Sequence, residues 1–211
     1  MSILQGKTLI AIGDSLIYGN QLGNAVTWPN LLGEKHSMTV HNFGKNGNTL
    51  ACQTRYPEQI GMCVRYKDMP DGADYVVVLG GANDHNLRVP LGMDTDTDTY
   101  TFKGALNTLI TGLREKYPKA KLLFLTNYDR LAPEKAGVAE VAYVEAMLEV
   151  CAKRGVPCFD NFHNSGVNFG DAEMLAWIDE GVALCGVANR HFSKAGYQYL
   201  LPIYEKLLEN L

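Results

Sequence analysis

The sequence predicts an α/β fold in which parallel strands lie between two layers of helices, a three-layer α/β/α sandwich. Apolar runs typical of strands alternate with helical segments along the whole chain, and some of these runs are continuously apolar, as in strands buried on both faces. Strands that alternate with helices are joined by right-handed crossovers and run parallel. With 211 residues, 46% of them hydrophobic, the chain suits one such domain, which we assign to residues 1–211.

The strands are predicted from apolar runs that end at glycine or at polar residues. The run at 8–12 stops at Gly13, and the run at 75–79 is largely valine and stops at Gly80. The segment 39–43 alternates apolar and polar residues before Gly44. The five predicted strands are 8–12, 39–43, 75–79, 121–126 and 157–159.

The helices are predicted from their periodicity and from their start and stop signals. Pro29 opens a short helix at 28–35, and Gly155 and Pro157 stop a helix at 137–154. Segment 160–190 fits the alternating pattern poorly, and we expect a long connection there, of the kind that is usually functional. The remaining predicted helices are 101–116, 172–177 within that connection, and 194 to the end.

The composition argues against several classes of function. The net charge is −4 and there is no run of basic residues, which argues against nucleic acid as the main partner. No apolar stretch approaches the roughly 20 residues of a membrane span, and the first twelve residues lack the features of a signal peptide. Five cysteines, an odd number without a CxxC pair, indicate reduced thiols. We therefore expect a protein made in a cytoplasm, with function there or on a particle such as a phage tail both open.

Ser15 occupies the turn at which the first predicted strand gives way to a helix, in the sequence Gly-Asp-Ser-Leu. Open α/β sheets bind their ligands at the carboxyl ends of the strands, and the N–H groups of a starting helix attract negative charge. A serine in this position is therefore a candidate nucleophile. The alternative is that Asp14 and Ser15 only cap the helix.

Further polar residues follow the next strands. Gly47 lies in Asn-Gly-Asn-Thr after the second strand, and Asn83 lies in Gly-Ala-Asn-Asp after the third; His191 precedes the last helix. Parallel strands would bring these loops to one edge of the sheet. Acyl transfer requires a hydroxyl, an imidazole and hydrogen-bond donors for an oxyanion, and these residues can supply them. Gly47 could instead be an ordinary loop glycine and Asn83 a helix cap. His85, adjacent to Asn83 and Asp84, could line the pocket, but a solvated loop is expected for it.

These four segments, in this order, resemble the four blocks of the SGNH (GDSL-type) hydrolases. The resemblance covers nearly the whole chain and implies a parallel five-stranded sheet of flavodoxin-like order. It also implies that Ser15 is the nucleophile and His191 the general base. The oxyanion hole would consist of the backbone N–H groups of Ser15 and Gly47 and the side-chain amide of Asn83. No metal and no cofactor is implied.

The sequence departs from that family at the residue that would orient the histidine. The family has Asp three residues before it, and this chain has Ala188. A backbone carbonyl could accept from Nδ1 of His191, leaving a Ser–His dyad. Alternatively, Asp179 or Glu180 could fold back to the imidazole, or Asn189 could hold it neutral. A weak or inactive site is the remaining alternative.

The resemblance favours a serine esterase that acts on a small-molecule or carbohydrate ester, with acetyl on a sugar as the leading substrate. An acyltransferase, in which a sugar hydroxyl replaces water, is the alternative among enzymes. Ala188 also keeps open a glycan-binding or docking module that has lost efficient catalysis. The oligomeric state does not follow from the sequence.

Overall fold

The computed structural model describes residues 2–211 and contains a sheet of five parallel strands in the order β2-β1-β3-β4-β5. This confirms the predicted α/β fold, and each predicted strand lies within one residue of an observed one at either end. The strands are β1 Thr8–Gly13, β2 Thr39–Gly44, β3 Tyr75–Leu79, β4 Lys121–Leu125 and β5 Cys158–Phe159.

Helices connect the strands, and the five that were placed from periodicity lie close to their predicted ranges. Four of the shorter helices, α3, α4, α7 and α9, have no counterpart among the predicted ranges, since helices of four to six residues carry little periodicity. The helices are α1 Ser15–Tyr18, α2 Trp28–His36, α3 Met62–Arg65, α4 Ala82–Asn86, α5 Phe102–Lys116, α6 Glu140–Lys153, α7 Asn161–Asn164, α8 Ala172–Ile178, α9 Glu180–Cys185 and α10 Lys194–Glu209.

The sheet is buried on both faces, which explains its continuous apolar runs. In β1, Ile10 and Ile12 face a core that includes residues of α3, α5 and α6. Leu9 and Ala11 face a second core, formed with residues of α1, α2 and α10. Because alternate side chains of a strand point to opposite faces, both sets in β1 must be apolar, and its polar residue, Thr8, is at the strand end.

The connection between β5 and α10 contains three short helices, where the sequence predicted only the one at 172–177. An aspartate caps each of them. Asp160 accepts from the backbone N–H of His163 at the start of α7, Asp171 caps α8, and Asp179 accepts from Val182 in α9. These aspartates are the sequence signal that could have located the helices.

The strand order places a crevice at the carboxyl end of the sheet. The connections from β1 lead to β2 on one side, whereas β3 lies on the other side of β1. Ligands of open α/β sheets bind at such a reversal of direction. The loops after β1 and β3 carry Ser15 and Asn83, so the topology brings both segments to this crevice.

The longest helix among residues 2–211 is α10, with 16 residues. No helix in that part of the chain has both the length and the apolar character required to cross a membrane.

Candidate active site

Ser15 is the first residue of α1, directly after β1, and its side chain is nearly buried in the crevice. Asp14 caps the helix, its carboxylate accepting from the backbone N–H of Leu16 at 2.9 Å. Helix α1 lies so close to β2 that a Cβ at Gly44 would collide with the backbone of Tyr18. Glycine at this position therefore allows α1 to start at the sheet edge, with Ser15 at its head.

Two backbone N–H groups at this edge have no hydrogen-bond acceptor among residues 2–211. One belongs to Ser15, which as the first residue of a helix has no partner within the helix. The other belongs to Gly47, in the loop after β2. Gly47 has φ +71°, a left-handed conformation that side chains disfavour and glycine adopts readily. Both N–H groups are thus available to a ligand.

Asn83 lies in the first turn of α4, after β3, and connects the ends of three strands. Its side-chain N–H group donates to the carbonyl of Asn48 at 3.1 Å and to the carboxylate of Asp14 at 3.3 Å. Asp14 follows β1 and Asn48 follows β2. The structure therefore brings the loops that carry Ser15, Gly47 and Asn83 together.

Asp84 fixes the loop that carries Gly47. Its buried carboxylate accepts from the backbone N–H groups of Leu50 at 2.9 Å and Ala51 at 3.1 Å. Burial raises the pKa of Asp84 to about 7, with a further contribution from the charge of Asp14, while the two N–H donors act in the opposite direction. This role of Asp84 was not predicted from the sequence.

The buried Asp84 predicts a specific pH dependence of stability. Its pKa is about 7 in the folded protein and about 3.9 in an unfolded chain, so unfolding releases its proton between these values. Its contribution to the free energy of unfolding is therefore fully present below about pH 4 and is lost as the pH rises through about 7. In urea unfolding at several pH values, wild-type stability relative to Asp84→Asn should decline over this interval. A difference that stays flat or increases with pH would contradict the assignment.

The structure places His191 beside Ser15. Nε2 of His191 lies 2.9 Å from Oγ of Ser15. Its other ring nitrogen, Nδ1, lies 3.0 Å from the backbone carbonyl oxygen of Asn189. Because a carbonyl can only accept, Nδ1 carries the hydrogen and Nε2 is free to accept one from the serine.

A short antiparallel bridge holds the histidine segment in place. The backbone N–H of Glu180 donates to the carbonyl of His191 at 2.8 Å, and the N–H of Ser193 donates to the carbonyl of Ile178 at 2.7 Å. The junction between α8 and α9 is therefore paired with the segment that carries the imidazole, at His191 and Ser193. The long connection between β5 and α10 therefore helps to position this histidine.

Neither of the two candidate carboxylates bonds to the imidazole. Asp179 accepts from the N–H groups of Asn189 and Arg190. Glu180 accepts from the N–H groups of Gln21 and Leu22 and from the side chains of Asn20 and Asn189. Backbone and side-chain donors of the surrounding loops thus occupy both carboxylates, and the alternative in which Asp179 or Glu180 contacts the ring directly is not formed.

Asn189 contacts the imidazole through its backbone and not through its amide. The side-chain oxygen of Asn189 accepts from the N–H of His191 at 3.0 Å and of Gly181 at 3.2 Å. Its side-chain N–H group donates to Glu180 at 3.0 Å. The side chain therefore shapes the turn that presents the Asn189 carbonyl to Nδ1.

Two further residues lie near the site: Arg130, which was not assigned there from the sequence, and His85, for which a solvated loop was the preferred interpretation. Arg130, in the loop after β4, donates to Glu140 and to the carbonyl of Ala82, beside Asn83. Its position after a strand is the signal that could have found it. His85 is fully buried, with Nε2 3.1 Å from the carbonyl of Val138. The prediction that His85 lies in a solvated loop is therefore wrong.

Among residues 2–211, no group of three or more His, Cys, Asp or Glu side chains could hold a metal ion.

A family model matches most of the chain. The model of the GDSL-like Lipase/Acylhydrolase family aligns with residues 11–199, a range that includes Ser15, Gly47, Asn83 and His191. No curated protein matches the sequence closely enough to be counted as a relative.

Solved structures share the fold along nearly the full length. One is 30% identical, covers 100% of this chain and 99% of its own, and has a TM-score of 0.85. A protein from Lactobacillus plantarum is 26% identical, with 98% of both chains covered and a TM-score of 0.82. The inhibitor-bound aryl esterase of M. smegmatis is 17% identical, with 97% of this chain and 99% of its own covered and a TM-score of 0.70; at that identity the likeness concerns the fold alone.

Proposed function

Because this chain belongs to the GDSL-like Lipase/Acylhydrolase family and is a serine hydrolase of the SGNH type, we propose that it cleaves a carboxylic ester through an acyl-enzyme on Ser15. The observation that carries this proposal is the distance of 2.9 Å between Oγ of Ser15 and Nε2 of His191. That distance lies within the range for transfer of a proton from a nucleophile to its general base.

The first half of the reaction forms the acyl-enzyme. Oγ of Ser15 attacks the carbonyl carbon of the ester, and its proton moves to Nε2 of His191. The resulting oxyanion accepts hydrogen bonds from the N–H groups of Ser15 and Gly47 and from the side-chain amide of Asn83. The amide of Asn83 then exchanges its long hydrogen bond to Asp14 for one to the oxyanion. When the intermediate collapses, the ester C–O bond breaks and the imidazolium returns the proton to the departing alcohol.

The second half repeats these steps with water. His191 removes a proton from the water, whose oxygen attacks the acyl carbon, and the same donors stabilise the second oxyanion. Collapse releases the carboxylic acid and returns the proton to Oγ of Ser15. Apart from the ester and the water, this proposed mechanism uses only groups of the chain.

The base in this mechanism belongs to a Ser–His dyad. The Asn189 carbonyl, 3.0 Å from Nδ1, sets the tautomer and the orientation of His191, which are two of the tasks of the acid in a triad. A neutral carbonyl stabilises the imidazolium less than a carboxylate does. Turnover is therefore expected to be slower than that of a complete triad in the same surroundings.

We propose a small acyl group on a carbohydrate as the substrate. Tyr18 lies at the opposite end of α1 from Ser15 and is 42% exposed. An exposed aromatic side chain near the nucleophile offers a surface that is both apolar and hydrogen-bonding, which suits the face of a sugar ring. The nearly buried hydroxyl of Ser15 favours a short acyl chain over a long one.

Esters of graded chain length test this proposal. We expect kcat/KM to be highest for p-nitrophenyl acetate and at least about tenfold lower for the octanoate, because the nearly buried hydroxyl of Ser15 is harder for a long acyl chain to approach. Release of acetate from an acetylated oligosaccharide is followed by NMR. Its kcat/KM should exceed the kcat/KM for p-nitrophenyl acetate. Faster hydrolysis of the octanoate would contradict the acyl preference, and transfer of acetyl to a sugar in place of water would identify an acyltransferase.

A further inference from the structure

We propose that Asp179 is a positioning residue for His191, acting through the peptide group that joins Asn189 to Arg190. This peptide takes the place of the direct contact between carboxylate and imidazole. The inference rests on the proposed function, because it concerns the same catalytic base. It assigns a role to a buried carboxylate that the dyad alone does not use.

The two ends of one amide group make the connection. The carbonyl oxygen of Asn189 lies 3.0 Å from Nδ1 of His191. The nitrogen of the same peptide group, the backbone N–H of Arg190, donates to Oδ2 of Asp179 at 2.7 Å. The order of groups is therefore carboxylate, amide, imidazole and serine hydroxyl, in one continuous series of hydrogen bonds.

The carboxylate of Asp179 is well fixed for this role. It is fully buried, and Oδ1 accepts from the N–H groups of Val182 and Asn189, each at 3.0 Å. Its hydrogen-bond partners within residues 2–211 are all N–H donors, so it acts as an acceptor with both oxygens. The backbone bridge between residues 178–180 and 191–193 holds Asp179 and His191 in register.

The backbone of Arg190 turns the amide into this orientation. Arg190 has φ +61°, a left-handed conformation that is uncommon for residues other than glycine, asparagine and aspartate. It occurs directly before the catalytic histidine, where its N–H meets Asp179 while the preceding carbonyl meets Nδ1. The short bond to the carboxylate offsets the strain of this conformation.

Polarisation of the amide gives the carboxylate an effect on catalysis. A negative charge at the N–H end of a peptide increases the negative charge on its carbonyl oxygen, because linked hydrogen bonds polarise one another. When the proton of Ser15 reaches Nε2, the positive imidazolium meets this stronger acceptor through Nδ1–H. Asp179 remains a carboxylate throughout, and no proton crosses the peptide.

Paired neutralising substitutions test the proposal. Asp179→Asn keeps the size of the side chain and removes its charge. We expect kcat for p-nitrophenyl acetate to fall roughly tenfold with KM within about twofold, because the charge acts on the transition state through one intervening amide. Glu180→Gln is the matched control: Glu180 is equally buried, and it bonds the 20–22 loop and the side chain of Asn189, but it does not bond the peptide between residues 189 and 190. The substitution should lower kcat less than about threefold.

NMR of the wild-type protein provides a readout that a merely structural role would not change. Serine displaces fluoride from a fluorophosphonate, and a phosphonate adduct on Ser15 that has then lost its remaining ester group carries a negative charge on oxygen, as the oxyanion does, which favours a proton on His191. We expect the Arg190 amide proton to move downfield on adduct formation, together with Nδ1–H of His191. The Asn189 amide proton also donates to Asp179 but belongs to another peptide group, and it should move less. This comparison decides the matter even if Asp179→Asn does not fold.

Two results would overturn the inference: equal loss of kcat in both variants, or an Arg190 amide proton that does not respond while the adduct forms. If neither adduct formation nor ester hydrolysis is detected in the wild-type protein, the proposed function fails instead. The two failures are therefore distinguishable.

Discussion

Replacing Ser15 by alanine should lower kcat for p-nitrophenyl acetate by about 10³-fold or more, because removal of the nucleophile disables the whole catalytic unit. The residual rate would come from the oxyanion donors and from binding. Since Ser15 Oγ bonds only His191 Nε2 among residues 2–211, its loss should leave the thermal midpoint of unfolding nearly unchanged. The measurement is steady-state kinetics of the purified variant beside the wild-type protein.

A fluorophosphonate reagent provides an independent measurement for the same residue. We expect one adduct per chain, located on Ser15 by mass spectrometry and absent from Ser15→Ala. Ser165→Ala is a suitable control, because that buried serine donates to the carbonyl of Asn161 at 2.6 Å and lies outside the site. It should lose stability and keep its turnover. An adduct on another residue of an active preparation would show that the nucleophile is assigned incorrectly.

Removing the amide of Asn83 should produce the second largest decrease in kcat. Loss of one oxyanion donor lowers kcat by about 10²–10³, roughly 2.7–4 kcal/mol. Asn83→Ala should therefore lower kcat in that range and leave KM nearly unchanged, because the negative charge develops only in the transition state. The measurement is kcat and KM for p-nitrophenyl acetate.

Asn83 also connects Asp14 to Asn48, so its loss must be compared with the loss of a purely structural asparagine. Asn107 is such a residue: its amide donates to the carbonyls of Asp94 and Asp96 at 2.9 and 3.0 Å, in a loop on another part of the fold. Asn107→Ala should reduce stability without reducing kcat. If folded Asn83→Ala retains more than half of the wild-type turnover, its amide is not part of the oxyanion hole.

Local sequence patterns were sufficient for the sheet. The run at 75–79 is apolar at every position because both faces of β3 are covered. A continuous apolar run of that length, without alternation, favours a buried strand. The same reasoning failed for α4 and α9, which are too short for a helical period. It also failed for His85, whose burial depends on the packing of the segment around Val138.

The sequence by itself determined the fold class and the order in which Ser15, Gly47, Asn83 and His191 meet the sheet edge, because parallel strands all end on the same side. Their chemical roles stay predictions. Only the tertiary structure decided what faces Nδ1 of His191. That contact depends on the pairing of residues 178–180 with 191–193 and on a left-handed turn at Arg190. No local pattern encodes such a pairing, since it forms only when the chain has folded and both segments have packed at the end of the sheet.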